Sequence, residues 1–443
     1  MKPVELRIER VVYGGFGLAR TSSAGPDSQV SASLVPFTLP GELVEAIPVG
    51  AKNELKLQGV LEPSTERVQP GCPHFGICGG CQMQMASYPE QLRIKEEGLR
   101  ESLNRAGVMD LPNIAKHTAE PWHYRNRIRL HITRQEDRIL FGYRERASDS
   151  ILPITTCSIA APLLWHAAEV MANAAPHDVN LRRWLEFSAE VELFCNVDMS
   201  RLQITLLYAA SKSLPPTSHF QEAFARLQRD IPELAGAGAL QIHPKTGQVK
   251  KELANWGTPG LEYDVSGERY WVARGGFFQV NRFLLPEMVE LVCGDQRGGI
   301  AWDLFAGVGL FARVLARSFV QVTAVEANPA AARELAASMR RVGAQHRSVG
   351  ATIVNYLREA VLQRERPDLI LLDPPRAGAG PEVCQLLARI GPERIVYVSC
   401  DPVTLGRDLA VLQSNYKIEA LHLVDLFPQT YHQEAVVKLC RRS

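Results

Sequence analysis

The chain has 443 residues, 46% of them hydrophobic and 22% charged, and carries a formal net charge of +1. That length predicts about two to four domains, and no apolar run approaches the roughly 20 residues of a membrane span. A near-neutral balance excludes nucleic-acid affinity through bulk charge, so any RNA contact must rest on local clusters of Lys and Arg.

The N-terminus, Met1-Lys2-Pro3-Val4-Glu5-Leu6, has no apolar core and no cleavage pattern, so a cytoplasmic location and no membrane contact are expected. Residues 1–62 read as a small OB-like β-barrel. A strand over Val4–Glu9 leads into the glycine-rich turn Tyr13-Gly14-Gly15-Phe16-Gly17 and a second strand to Arg20. Thr21–Ser33 reads as a mobile loop, and Leu34–Pro36 and Pro40–Pro48 supply further short strands.

Residues 63–275 open with Cys72-Pro73-His74-Phe75-Gly76-Ile77-Cys78-Gly79-Gly80-Cys81. Three cysteines separated by Gly and Pro can aim three thiolates at one centre. Cys157, at the end of the run Pro153–Cys157, is the best fourth ligand. Nine cysteines in a cytoplasmic chain do not read as a disulfide framework. Four thiolates suit zinc or an iron–sulfur cluster, and the spacing does not choose between them. Cys195, Cys293, Cys384 and Cys440 lie in apolar runs and read as core. A charged helix is predicted over Tyr88–Ala106, ending at Gly107. In Trp122–Arg134 a strand period places Arg125, Arg127, Arg129 and His131 on one face, with Ile128, Leu130 and Ile132 on the other. That basic row beside aromatics is a candidate RNA-facing surface. Further strands and a helix over Thr217–Arg229 complete a region that reads as mixed α/β and substrate-recognising.

From 276 to 443 strands and helices alternate, the pattern of a doubly wound sheet. Strand Ile300–Leu304 runs into the turn Phe305-Ala306-Gly307-Val308-Gly309, and a second strand ends in Glu326. An acid some twenty residues after a glycine turn suits ribose hydroxyls. The turn is GxG without a pyrophosphate fingerprint, which favours S-adenosylmethionine over a dinucleotide. A weak strand is expected around Ala351–Val354, and a fourth strand ends in Asp373-Pro374-Pro375-Arg376, whose prolines fix the loop over the cofactor end of the sheet. A fifth, Arg394–Val398, delivers Cys400 where ligands bind in open α/β sheets. Glu434 opens the last strand, expected on the same edge as Cys400.

Six of these stretches in order resemble the uracil-5 RNA methyltransferases, in particular the subgroup with an N-terminal TRAM domain and a [4Fe–4S] cluster. They are Cys72, Cys78, Cys81 with Cys157; Phe278-Gln279-Val280-Asn281; Asp303–Gly309; Asp373–Arg376; Ser399-Cys400-Asp401-Pro402; and His432-Gln433-Glu434. The resemblance implies a class I S-adenosylmethionine-dependent methyltransferase fold behind the barrel and central domain, making 5-methyluridine. It implies that Gln279, Phe305, Glu326 and Asp373 contact S-adenosylmethionine, and that Cys400 is the nucleophile and Glu434 the base. It implies that Cys72, Cys78, Cys81 and Cys157 hold a [4Fe–4S] cluster, and that Arg125 and Arg127 meet RNA. The expected partner of this monomer is 23S ribosomal RNA, with transfer RNA the alternative. Asp401 stands where many members carry Asn.

The chemistry asks for the same pair. Carbon 5 of uracil is too weak a nucleophile until a thiolate adds at carbon 6, and a base must then remove the carbon-5 proton. A target base must also leave its stack. Cytosine-5 methylation would call for a second cysteine in Asp373–Arg376, which has none. Amino-group methylation has no use for Cys400, and a non-catalytic RNA-binding protein has no use for Cys400 and Glu434 together.

Overall fold

The computed structural model describes residues 3–22, 30–49, 53–208, 214–243 and 247–442. The centre of the loop expected over Thr21–Ser33, residues 23–29, lies outside the described residues. Its flanks are strands, Phe16–Ser22 pairing with Val30–Pro36. Among the described residues the N-terminal region forms two three-stranded sheets. They share one small core built on Leu6, Ile8, Ala19, Val35, Val44, Ala46 and Leu55.

The central sheet runs in the order Ile151–Pro153, Arg138–Arg144, Arg127–Gln135, Glu190–Cys195, Leu202–Tyr208, Leu234–Ile242, Val249–Gly257. Three helices pack into one core with it. In Thr217–Asp230 the buried residues Phe220, Ala223, Phe224 and Leu227 recur at helical spacing, which is why this segment docks by one stripe.

The C-terminal sheet has the order Arg347–Gly350, Phe319–Glu326, Gly298–Leu304, Leu369–Leu372, Arg394–Ser399, Glu434–Arg441, Tyr416–Val424, Ile114–His117. Its first five strands are mutually parallel. Glu434–Arg441 is antiparallel to both neighbours. Along Leu369–Leu372, Leu369 and Leu371 enter one core while Ile370 and Leu372 enter another. Both faces are therefore covered, as the continuous apolar strands require.

Three expectations change. The stretch Ala351–Val354 is not a strand. The strand is Arg347–Gly350, and Ile353–Gln363 is a helix capped by Thr352, whose hydroxyl accepts from the Asn355 amide. The β-branched pair reads as strand locally, but Ile353, Tyr356, Leu357 and Ala360 form a buried helical stripe. Second, residues 63–275 do not all pack as one unit. Ile114–His117 pairs with Tyr416–Val424 at the edge of the C-terminal sheet, and Leu99 and Leu103 of helix Tyr88–Arg105 share its core with Leu405 and Leu409. The chain leaves the C-terminal unit and returns to it, a long-range pairing that periodicity does not carry. Third, Cys195, Cys293 and Cys384 are buried, but Cys440, near the end of its strand, is only partly covered. Among the described residues no helix is long and apolar enough to cross a membrane.

Candidate active site

Strand direction assembles the site. Ser399 pairs with Ala435 across the antiparallel ladder, so the next step outward sets Cys400 against Glu434. A parallel last strand would have begun at the opposite edge, far from the cysteine. Asp401 follows Cys400 and caps helix Pro402–Leu412. Its Oδ1 accepts from the amides of Val403 at 3.0 Å and Thr404 at 2.9 Å. Satisfying two free helix-terminal donors fixes the turn that presents the thiol.

Electrostatics at this edge are unusual. Burial, then the nearby Glu434, push the Cys400 thiol up to about 12, with Asp373 and Asp401 acting the same way and Arg376 opposing. Glu434 is 4% exposed. Burial and Asp373 hold its carboxyl well above the usual range, again against Arg376. Desolvation pushes Asp373 up to about 7. Arg376 reaches 3.5 Å from Nε2 of His432, whose imidazole burial and cationic neighbours push down to about 4. Carboxyls grouped this way with little compensation are what a cation-binding, proton-moving site needs.

The turn and acid expected to meet the cofactor adjoin. Phe305, directly after strand Gly298–Leu304, has a left-handed φ of +64°, uncommon for a side chain of its size. Gly309 at φ +89° starts helix Leu310–Leu315. Glu326 closes the second strand and accepts from the Gly307 amide at 2.9 Å and the Asn328 amide at 2.6 Å. Each oxygen keeps a second lone pair free for a hydroxyl donor. Gln279 lies on a segment pinned from both sides. Asn126 Nδ2 donates to the Gln279 carbonyl at 3.1 Å, and Asn281 Nδ2 to the Leu426 carbonyl at 3.0 Å. Beside Gln279, Phe277 is 74% exposed.

Sequence reasoning assigned no role to Asp303, Arg376 or Tyr13. Asp303 is fully buried, with Oδ2 accepting from the Ala312 amide and Oδ1 unpartnered. Arg376 was visible within Asp373–Arg376, but nothing in the pattern tied it to Cys400 and Glu434. Tyr13, from the N-terminal sheets, donates to Asp401 Oδ2 at 3.1 Å, a contact without local signal.

The profile of the tRNA (uracil-5-)-methyltransferase family matches residues 87–442. The chain belongs to that family. It is thus an S-adenosylmethionine-dependent RNA methyltransferase acting at uracil carbon 5. Two relatives carry the name 23S rRNA (uracil(1939)-C(5))-methyltransferase RlmD. That of Dechloromonas aromatica is 32% identical over 97% of this chain and 98% of its own length. That of Shewanella amazonensis is 30% identical over 98% of this chain and 94% of its own. In fold, the chain is similar to the Pyrococcus abyssi tRNA (uracil-54, C5)-methyltransferase solved with S-adenosyl-L-homocysteine. The TM-score is 0.72 at 23% identity, over 98% of this chain and all of the other.

In this uracil-5 methyltransferase the four cysteines come from two segments that meet. His74 Nε2 accepts from the Thr155 amide at 2.9 Å, joining the Cys72–Cys81 loop to the run before Cys157. Cys78 senses Cys157 and Cys72, and Cys81 senses Cys157 and Cys78, while burial pushes the Cys78, Cys81 and Cys157 thiols up. Among the described residues no group of three or more His, Cys, Asp or Glu is close enough together to hold a metal ion.

The basic row is mostly spoken for. Arg129 pairs with Glu192 at 3.0 Å, and His131 lies 3.3 Å from Glu190, both acids on the adjacent strand Glu190–Cys195. Arg127, its side chain 13% exposed, donates to the Gly276 carbonyl and lies 4.2 Å from the centre of the Phe194 ring. Arg125 is held between the rings of Tyr124 and Phe427 at 5.9 and 5.8 Å.

Proposed function

We propose that this enzyme makes 5-methyluridine in 23S ribosomal RNA through a Cys400 adduct. The observation that carries the reading is the antiparallel register that sets Cys400 against Glu434, with Asp373 and Arg376 beside them. The Cys400 thiolate adds to carbon 6, forming the S–C6 bond and moving the ring electrons onto the carbon-4 oxygen. S-adenosylmethionine, when bound by Gln279, Phe305, Glu326 and Asp373, would supply the methyl group that carbon 5 takes with the returning enolate electrons, leaving as S-adenosylhomocysteine, and its sulfonium charge favours the ionised forms of Cys400, Asp373 and Glu434. Glu434 then takes the carbon-5 proton, and the S–C6 bond breaks to return the thiolate. Exposed Phe277 offers a face on which an extruded or neighbouring base can stack.

The ribosomal substrate is supported by two relatives that bear that name over nearly their full lengths. Transfer RNA is the second reading, supported by the family description. We read residues 1–62 as a TRAM domain and the enzyme as a cytoplasmic monomer. Arg125 and Arg127 act from the inner end of the basic row, Arg125 against Phe427 in the loop that leads to Glu434, and guide the target nucleotide there. Cys72, Cys78, Cys81 and Cys157 suit a [4Fe–4S] cluster.

Cys400→Ala is expected to abolish methylation while S-adenosylmethionine still binds, and retained activity would sink the mechanism. Mapping 5-methyluridine in ribosomal and transfer RNA of a deletion strain tests the substrate; loss from transfer RNA alone would replace the ribosomal assignment. Iron and sulfide analysis of anaerobically purified protein should give four irons, and stoichiometric zinc would refute the cluster.

A further inference from the structure

The hairpin turn between strands Arg10–Val12 and Phe16–Ser22 reaches from the N-terminal sheets to the edge of the C-terminal one. The Tyr13 hydroxyl donates to Asp401 Oδ2 at 3.1 Å, and the Tyr13 ring meets Tyr431 edge-on, centroids 5.6 Å apart. Tyr431 in turn packs on His432 at 4.1 Å, two residues before Glu434. The turn fits tightly. A Cβ at Gly15 would come 3.2 Å from Cβ of Gln82 and 3.3 Å from Cβ of Tyr431, and its φ is +80°. A glycine is therefore required on two counts. The same hairpin is tied to helix Tyr88–Arg105 by Arg10 and Glu101 at 2.9 Å.

Asp401 consequently has both oxygens engaged, Oδ1 by the helix amides and Oδ2 by Tyr13. Burial and the Asp401 carboxylate keep the phenol protonated, so it stays a donor. We infer that Tyr13 is a positioning residue of the reaction: the N-terminal β domain holds, through Asp401, the turn that presents Cys400. The inference rests on the reading of Cys400 as nucleophile. It gives the β domain a part in the chemical step, separate from any grip on RNA.

The groups that face the Cys400 thiol are Glu434 from the last strand, Asp373 and Arg376 from their loop, and Asp401 from its own turn. Without the Tyr13 donor the Asp401 charge is shared less, and the thiol ionises at higher pH.

Tyr13→Phe keeps the ring on Tyr431 and removes only the hydroxyl. The assay is single-turnover adduct formation with S-adenosylmethionine and RNA carrying 5-fluorouridine; once carbon 5 is methylated it holds fluorine where the base would take a proton, so the Cys400–C6 bond persists. Adduct formation should slow about tenfold, the size of one hydrogen bond to a charged group. Its pH midpoint should move up, with the RNA and S-adenosylmethionine Kd values unchanged and Tm lowered by no more than about 5 °C. Asp401→Asn keeps the cap but not the charge; in that background Tyr13→Phe should add less than about twofold. An unchanged rate and pH midpoint, or a loss confined to RNA affinity, would overturn the inference. Failure of the wild-type enzyme to form the adduct at Cys400 would instead remove the nucleophile reading beneath it.

Discussion

Along Arg127–Gln135 the cationic side chains meet Glu190 and Glu192 one strand over, in register. At the carboxyl edge of the C-terminal sheet, by contrast, Asp303, Asp373 and Glu434 are grouped; burial pushes all three carboxyls up, and Asp373 pushes Asp303 and Glu434 up further. The first arrangement is closed: its charges neutralise each other and give a sheet face that tolerates water. The second is open, because buried carboxyls without equal countercharge favour a cation, and the sulfonium of the methyl donor is one. A row of arginines in a sequence thus says less about ligand binding than a few acids placed where nothing balances them.

Glu434→Gln breaks the open arrangement at the proposed base and should have the largest effect among its carboxyls. Turnover is expected to fall about 10²- to 10⁴-fold, while a covalent protein–RNA species survives denaturing electrophoresis. Slow turnover with no trapped species would place the base elsewhere. The closed arrangement predicts a small and unequal response. Arg125→Ala should weaken RNA binding about tenfold and lower the salt slope by about 1. Arg129→Ala, already paired, should stay within about twofold. Equal losses would restore the row as one continuous RNA surface.

Those unequal expectations mark where the sequence is legible. Cys400 and Glu434 could be placed on one edge because strand ends and chain order are local signals, and the antiparallel register then sets them opposite each other. The alternation Arg125, Arg127, Arg129, His131 was equally visible, but Glu190 and Glu192, some sixty residues later, were not marked as its partners. Nor did periodicity reveal that Ile114–His117 completes the C-terminal sheet, since a four-residue edge strand carries little pattern. Arg376 stood in a legible motif, yet its place between His432 and the Cys400–Glu434 pair depends on how the loop folds over the sheet. Local chemistry could be read; pairing across distance could not.

Asp373→Asn gives the finest test of the open site. The wild-type carboxyl rises from its ordinary range to about 7 in the folded protein. Folding therefore favours its protonated form. The associated stability is present below the unfolded pKa and is lost as pH rises from about 4 to about 7. Glu434 and Asp303 shift in the same direction and add to the loss. Without S-adenosylmethionine, the wild-type Tm should fall across that window and recover when the methyl donor is added at pH 8. Asn has no charge to bury, so the variant should gain about 1–2 kcal/mol at pH 8 relative to pH 5, once solvent access at the strand end is allowed for. It should also lose part of the ligand-induced recovery, because the sulfonium has one countercharge fewer. Thermal melts at pH 5 and pH 8, with and without the methyl donor, separate the cases. Parallel wild-type and variant profiles would mean that Asp373 is compensated by the protein itself and that the site is closed like the arginine strand.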